Sequence, residues 1–320
     1  MLLLIAQQIT AQSITAQTEP PLPLSAVIPT GALSLPLREA RRVEIEQALK
    51  RRDYRTAETI LVEEINRNPG SGSLLAFAAG IFFLDGQYLN AAIAYKKAER
   101  VAPLDEPSRF TLAMAYIRLG RSDWAQPELV KLTSAAAHNP LYHYWLGRLD
   151  YDAHRYAAAV GNYQKAVELD PQFMKAYDNL GLCYAFLGRY DEAVENYRKA
   201  TRLNRLQKPG SPWPPLNFSL LLTEQGKLDE AEPHLKEALQ YDPKFARAHF
   251  HLGVLYDKQK KYREAIQSLT EAASSDPAYP EPWYLLGKIY HRLGESEKSR
   301  TALASYQKLK KEKRTSPPRT

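Results

Sequence analysis

The sequence predicts an all-α fold, a solenoid of repeated helix-turn-helix units. The first observation is self-similarity, because the chain matches itself when shifted by 34 residues. The second is helical periodicity within a unit, clearest from Met174 to Gln207. There Tyr177, Leu180, Gly181 and Tyr184 recur at i, i+3, i+4 and i+7, one face of a first helix. Ala193, Tyr197 and Ala200 mark one face of a second helix, and Gly188 separates the two. The third observation is a fixed alternation of size. Counting Met174 as position 1, position 8 is usually small (Ala79, Ala113, Gly147, Gly181, Ser219, Gly253, Gly287). Position 20 is small as well (Ala57, Ala91, Ala125, Ala159, Ala193, Ala231, Ala265, Ser299), and position 24 is large and apolar (Leu61, Tyr95, Leu129, Tyr163, Tyr197, Leu235, Leu269, Leu303). Two helices approach closely only where one presents Gly or Ala and the other fills the gap with Leu or an aromatic ring.

Taken in order, eight units start at Arg38, Gly72, Glu106, Pro140, Met174, Pro212, Ala246 and Pro280. They are expected to form one array over residues 38–313, with four extra residues inserted at 208–211. Proline at position 32 (Pro69, Pro103, Pro171, Pro243, Pro277) closes second helices, since it cannot continue the hydrogen-bond ladder. Asp105-Glu106-Pro107 and Asn139-Pro140 read as helix starts, a capping side chain followed by proline in the first turn. Pro127 and Pro233 both fall at position 22, where the periodicity continues through them, so they read as kinks and not as breaks. The stretch Lys208–Pro215 is a loop in its first half, with Trp213 expected to pack on its neighbours. The first unit is more polar (Arg41, Glu44), as terminal repeats must be to stay soluble, and the last ends in a longer helix, Glu295 to about Arg314.

These residues resemble the tetratricopeptide repeat family. The family pattern W-x2-L-G-x2-Y followed by A-x3-F and P stands here as Trp283, Leu286, Gly287 and Tyr290, with the later half as Ala159, Tyr163 and Pro171. The resemblance implies a right-handed superhelical solenoid of helix-turn-helix repeats. It also implies that first helices line a concave groove in which an extended peptide or partner helix binds.

Outside the array, residues 1–37 form a leader that opens MLLLIA and becomes Pro-rich at Glu19–Pro23. It reads either as a partial signal peptide or as a flexible leader, which leaves a periplasmic or secreted location and a cytoplasmic one both open. Residues 314–320 are expected to be a disordered basic tail. No apolar run is long enough for a transmembrane helix. The net charge of +7 is mostly terminal: Lys308, Lys310, Lys311, Lys313, Arg314 and Arg319 face Glu312 alone. Such an end can touch nucleic acid or an anionic membrane surface, but more often it is the solvated end of a last helix, and of the two partners the membrane surface is the one kept open while nucleic acid is not expected. The single cysteine, Cys183, excludes an intramolecular disulfide and is expected to be a small buried hydrophobe.

No catalytic constellation is present, and neither a cofactor nor a metal is expected. Gly70-Ser71-Gly72 lacks the further glycines and the Lys of a phosphate loop. His249 and His251 stand at i and i+2, which do not face each other on a helix. Asp191-Glu192 and Asp229-Glu230 open second helices, where they complement the helix dipole. The chain is therefore expected to be a non-enzymatic protein-interaction scaffold. Adaptor roles are the alternative, either recruiting substrates to a separate enzyme or reaching nucleic acid or a membrane through the basic ends.

Carried over by position, the resemblance places a partner-binding face at positions 5, 6, 9, 12 and 13. The candidates are Phe77, Phe110, Tyr144, Trp145, Arg148, Tyr151, Asn179, Asn217, Phe250, Tyr284 and Lys288, with Phe83, Met114, Asp178, His251, His291 and Arg292 beside them. Aromatic and Arg positions dominate binding hot spots. Asn179 and Asn217 share position 6, as two rungs of an asparagine ladder that in some relatives grips peptide amides. No repeat sets Lys and Asn together as a carboxylate clamp, so chaperone C-termini are not expected as ligands.

Overall fold

Small residues where two helices cross, and a left-handed residue where the chain turns, produce one structural unit eight times over. The structure is a computed structural model that describes residues 35–315. Residues 1–34 and 316–320, on which the leader and most of the tail expectations fall, lie outside the described residues. Among the described residues every regular element is a helix. The helices are α1 (Glu39–Lys50), α2 (Tyr54–Arg67), α3 (Gly72–Leu84), α4 (Tyr88–Val101), α5 (Glu106–Arg118), α6 (Ser122–Ala135), α7 (Pro140–Asp152) and α8 (Tyr156–Leu169). They continue as α9 (Met174–Phe186), α10 (Tyr190–Leu206), α11 (Trp213–Glu224), α12 (Leu228–Tyr241), α13 (Ala246–Lys258), α14 (Tyr262–Ser275), α15 (Glu281–Arg292) and α16 (Ser296–Thr315). Odd-numbered helices are the first helices of pairs and even-numbered ones the second. The chain divides at Leu169 and Asp170 into two units, one holding α1–α8 and the other α9–α16.

Each pair turns in the same way. The residue at position 15 has positive φ in all eight pairs: Gly86, Gly120, Gly188, Gly226 and Gly294 at +69 to +77°, and Arg52, His154 and Lys260 at +57 to +60°. Glycine takes this conformation without penalty, whereas an L side chain costs roughly 1–2 kcal/mol there. Starts are secured locally as well. The side chains of Asp53, Ser71, Asp105 and Asn139 accept from the backbone N–H of Thr56, Leu74, Ser108 and Leu141, at 2.9–3.3 Å. Pro127 and Pro233 lie inside α6 and α12, and both helices run through them.

The size alternation read from the sequence is the packing rule of the core. Every alanine at position 20 is fully buried, as are Leu61, Tyr95, Leu129, Tyr163, Leu235 and Leu269 at position 24. Glycine at position 8 lies under the position 24 side chain of its own pair. A methyl group added to Gly147 would meet the Tyr163 ring at 2.7 Å, and one added to Gly181 would meet the Tyr197 ring at 2.7 Å. Gly253 under Leu269 (2.5 Å) and Gly287 under Leu303 (2.7 Å) repeat the contact. No real Cβ sits that close, so helix separation is set by the missing side chain.

The insertion is tied into the second unit. Buried Asn204 donates from Nδ2 to the Ser211 carbonyl and accepts from the Ser211 N–H, both at 2.8 Å. Gly210 lies against the Tyr241 ring. Trp213 starts α11, is partly buried and meets Phe245 edge-on at 5.1 Å, as a packed side chain. Cys183 is buried.

Two glycine substitutions separate packing from helix propensity. Gly181→Ala forces the buried Tyr197 ring to move and is expected to destabilise by about 1–3 kcal/mol. Gly161 lies inside α8 with open space at its Cβ, so Gly161→Ala is expected to stabilise by about 0.5–1 kcal/mol. Thermal unfolding followed by circular dichroism reads both, as midpoint shifts of opposite sign.

Candidate functional site

First helices carry the predicted partner-binding residues, and the structure sorts those residues into two groups. Phe77, Phe110, Tyr144, Trp145, Arg148, Tyr151, Asn179 and Asn217 are buried. They therefore present no free surface in this structure. Phe250 is partly exposed, and Tyr284 (46 % exposed) and Lys288 are open to solvent.

The buried group makes specific contacts. Phe110 packs on Tyr142 of the next first helix at 5.2 Å, and the Tyr142 hydroxyl donates to Glu106 at 2.7 Å. Tyr144 meets Trp145 edge-on and lies tilted against Tyr163, both at 5.8 Å. The Arg148 guanidinium lies 5.7 Å from the Trp145 ring centre. Burial and the nearby Arg148 act in opposite directions on Asp152, with burial the larger, so its carboxyl is held above the usual range. Asn217 donates from Nδ2 to Asp178 Oδ2 at 3.0 Å. That bond ties α11 to α9 and uses a donor that the ladder reading would offer to a peptide.

The open group lies on α13 and α15 of the second unit, first helices of successive pairs that contact each other. Phe250 and Tyr284 occupy the same position 34 residues apart. The Tyr284 ring packs on Tyr306 of α16 at 5.2 Å. Lys288 Nζ lies 5.6 Å from the Tyr284 ring centre, and Lys310 Nζ lies 5.2 Å from that of Tyr306 while donating to its hydroxyl at 2.9 Å. These two lysines rest on rings. Arg292 pairs with Asp257 and Arg300 with Glu297, while Lys298 pairs with Glu295 and also lies 5.5 Å from the Tyr290 ring centre. The face formed by Tyr284, Lys288, Tyr306 and Lys310 is thus aromatic and keeps its positive charge.

A second aromatic-cationic group is carried by α13. Phe250 meets Tyr279 at 5.3 Å and His251 at 5.1 Å, both edge-on. The Arg247 guanidinium lies 5.1 Å from the centre of Trp213, and burial lowers its pKa. Burial, reinforced by Arg247, pushes His251 down to about 3, so its imidazole is neutral near pH 7. Tyr306, Lys310 and Arg247 were not among the sequence candidates. The i, i+4 spacing of Tyr306 and Lys310 was the available signal for two of them.

Among the described residues no group of His, Cys, Asp and Glu could hold a metal, and no helix is long and apolar enough to cross a membrane.

Paired helices with a small-over-large crossing and an open first-helix face define a helical-repeat interaction module. Models of the tetratricopeptide repeat match residues 147–188, 172–244, 216–280 and 258–313, together just over half of the chain. The chain belongs to the tetratricopeptide-repeat family. Proteins of this family bind protein or peptide partners, and family and fold are typically those of non-enzymatic scaffolds. Among curated relatives, the BBSome complex member BBS4 of Bos taurus is 29 % identical over 105 residues, 32 % of this chain and 19 % of that protein. The chain thus matches about a fifth of that relative's length. A tetratricopeptide repeat protein from Parabacteroides merdae superposes with a TM-score of 0.61 at 18 % identity, covering 78 % of this chain and 97 % of that one. The pilus biogenesis factor PilW gives 0.58 at 20 % identity, over 63 % and 92 %. Cut9 with Hcn1, an APC/C hetero-tetramer, gives 0.59 at 15 % identity, over 77 % and 48 %. At these identities the likeness is one of fold.

His251 makes stability depend on pH in a stated direction. Its folded pKa lies below the unfolded value of about 6.5, so on acidification the unfolded chain takes up a proton that the folded chain refuses. Its contribution is constant above about pH 6.5 and turns against folding as pH falls toward 3, by about 1–2 kcal/mol at pH 5. The fall in thermal midpoint between pH 7.5 and pH 5 is expected to be a few degrees smaller in His251→Gln than in the unaltered chain.

Proposed function

We propose that the chain is a protein-interaction scaffold that holds an extended, acidic partner segment along the first-helix face of α13 and α15. The supporting observation is that Lys288 and Lys310 rest on the rings of Tyr284 and Tyr306 while Arg292, Lys298 and Arg300 on the same two helices are paired with carboxylates. A carboxylate brought to this face meets unneutralised ammonium groups, and an apolar side chain beside it meets two tyrosine rings. Aromatic anchors supply burial, and charge complementarity supplies orientation and speed of association. Binding in an extended form suits the geometry, since equivalent positions on adjacent first helices repeat along the array. BBS4 is a member of a multiprotein complex, in keeping with a role in assembly.

The test is peptide display on the immobilised full chain, followed by affinity measurement of the recovered peptides by fluorescence anisotropy. Recovered sequences are expected to be rich in Asp and Glu with an interspersed apolar residue. Tyr284→Ala combined with Lys288→Glu is expected to weaken their binding at least tenfold, about 1.4 kcal/mol or more. Lys298→Glu, a change at a cation already paired with Glu295, is expected to alter it less than about twofold. Binding that survives the double substitution would place the site elsewhere.

A further inference from the structure

Second helices turn a stripe to solvent at positions 18, 22, 25 and 29, which recur at i, i+4, i+7 and i+11 and so share one face. In α2, α4 and α6 this stripe holds large apolar residues. Val62 of α2, Leu89 and Ile93 of α4 and Val130 of α6 stand on it at 41, 57, 47 and 47 % exposure. In the second unit the stripe is polar. α10 carries Asp191, Glu195, Arg198 and Arg202 there, and α12, α14 and α16 place no large apolar residue on it. Both units build the same helix pairs, so the fold itself does not demand apolar residues at these positions. The three apolar stripes lie side by side. Gln87 Nε2, at the residue before α4, donates to Glu58 of α2 at 2.9 Å, and Lys96 of α4 lies 3.8 Å from Glu128 of α6. A contiguous patch of exposed large apolar side chains marks a place where another surface docks.

We propose that this face docks on the same face of a second copy of the chain, about a twofold axis running along α4. A twofold interface lays one patch on itself, so the patch must be self-complementary. With the axis along α4, α2 of one copy lies on α6 of the other, position by position, and α4 lies on its own equivalent. The charges then match. Position 18 is Arg55 in α2 and Asp123 in α6, so each Arg55 faces Asp123 of the other copy. The Asp123 side chain is 62 % exposed and is fixed by Arg121 at 2.8 Å. Position 22 sets Thr59 against Pro127, and position 25 sets Val62 against Val130. On the axis, Leu89 and Ile93 meet their own equivalents. Lys96, next along α4, is neutralised within its own copy by Glu99 and Glu128, and the apolar face ends at Arg100. An anionic membrane fits the face less well, because it would meet Asp123. Stripes on three helices make a small interface, so association is expected in the micromolar range. The proposal stands independently of the partner reading, which concerns the first helices α13 and α15.

Sedimentation equilibrium of the full chain, from about 1 to about 100 μM, is expected to show a monomer–dimer equilibrium. Ile93→Glu, at an exposed position, is expected to raise the dissociation constant about tenfold or more at unchanged helical circular dichroism. Arg55→Asp is expected to raise it severalfold, and Arg55→Asp with Asp123→Arg to restore it to within about twofold, because the pair is only exchanged. Introduced cysteines read the axis, since the chain's own Cys183 is buried. With a short bismaleimide, Ile93→Cys is expected to link to itself. Val62→Cys is expected to link to Val130→Cys in a mixture of the two proteins, and not to itself. A chain still monomeric at the upper concentration overturns the proposal. A dimer that Ile93→Glu leaves intact, a charge exchange that restores nothing, or links from position 62 to position 62 also overturn it. Binding of the monomer to phosphatidylserine vesicles, lost in Ile93→Glu, assigns the face to a membrane and overturns it too.

Discussion

Everything in this molecule depends on the contact between position 8 and position 24 of each helix pair. Where Gly147 lies under Tyr163, or Gly253 under Leu269, no side chain separates the crossing helices, and the large partner is buried from all sides. Burying such a side chain is worth about 1.5–3 kcal/mol. The contact also fixes orientation, since a helix whose small residue must face its partner has its opposite face determined as well. The side away from it, where position 6 lies at about 160° from position 8, is left free of that contact. One local packing requirement, with a small residue at position 8 in seven of the eight pairs and Ile45 there in the first, thus produces both the core and a row of equivalent positions along the first helices.

The same repetition explains why the two units differ in what they offer. α3 has no charged residue and is buried all round, while α15 carries Lys288, His291 and Arg292 on its solvent side. The scaffold tolerates both, because the small-over-large contact constrains only one side of each first helix. Surface chemistry can therefore vary from pair to pair with no change of fold, and specificity resides in the unconstrained positions.

The fold was legible in the sequence because its determinants are local and repeated. Ala57, Ala91 and Ala125 lie 34 residues apart, and each is fully buried. Positive φ at position 15 was legible where it is glycine, as at Gly188, and hidden where Arg52, His154 and Lys260 take the same conformation at a cost. The candidate site was legible only in part. Position identified which residues stand on the first helices, but what each of them packs against, as Tyr144 on Tyr163 and Tyr284 on Tyr306, depends on contacts that the repeat pattern alone does not give. Tyr284 and Trp145 occupy adjacent positions of the same repeat pattern, yet one is exposed and the other buried. Asn217, read as a ladder rung, spends its donor on Asp178, a partner 39 residues away that no local pattern announces. Arg247 over Trp213 joins α13 to the start of α11, two residues after the insertion at 208–211 that breaks the period.

The account rests on the first-helix face being the binding face. Photo-cross-linking of the full chain in its native extract tests this most directly, with a benzophenone side chain at position 284 on a first helix or at position 89 on a second helix. Tyr284 and Leu89 are comparably exposed, at 46 % and 57 %, so accessibility does not bias the comparison. The account predicts a discrete cross-linked partner at position 284 that is absent at position 89. The same partner captured from position 89 and not from 284 would contradict it.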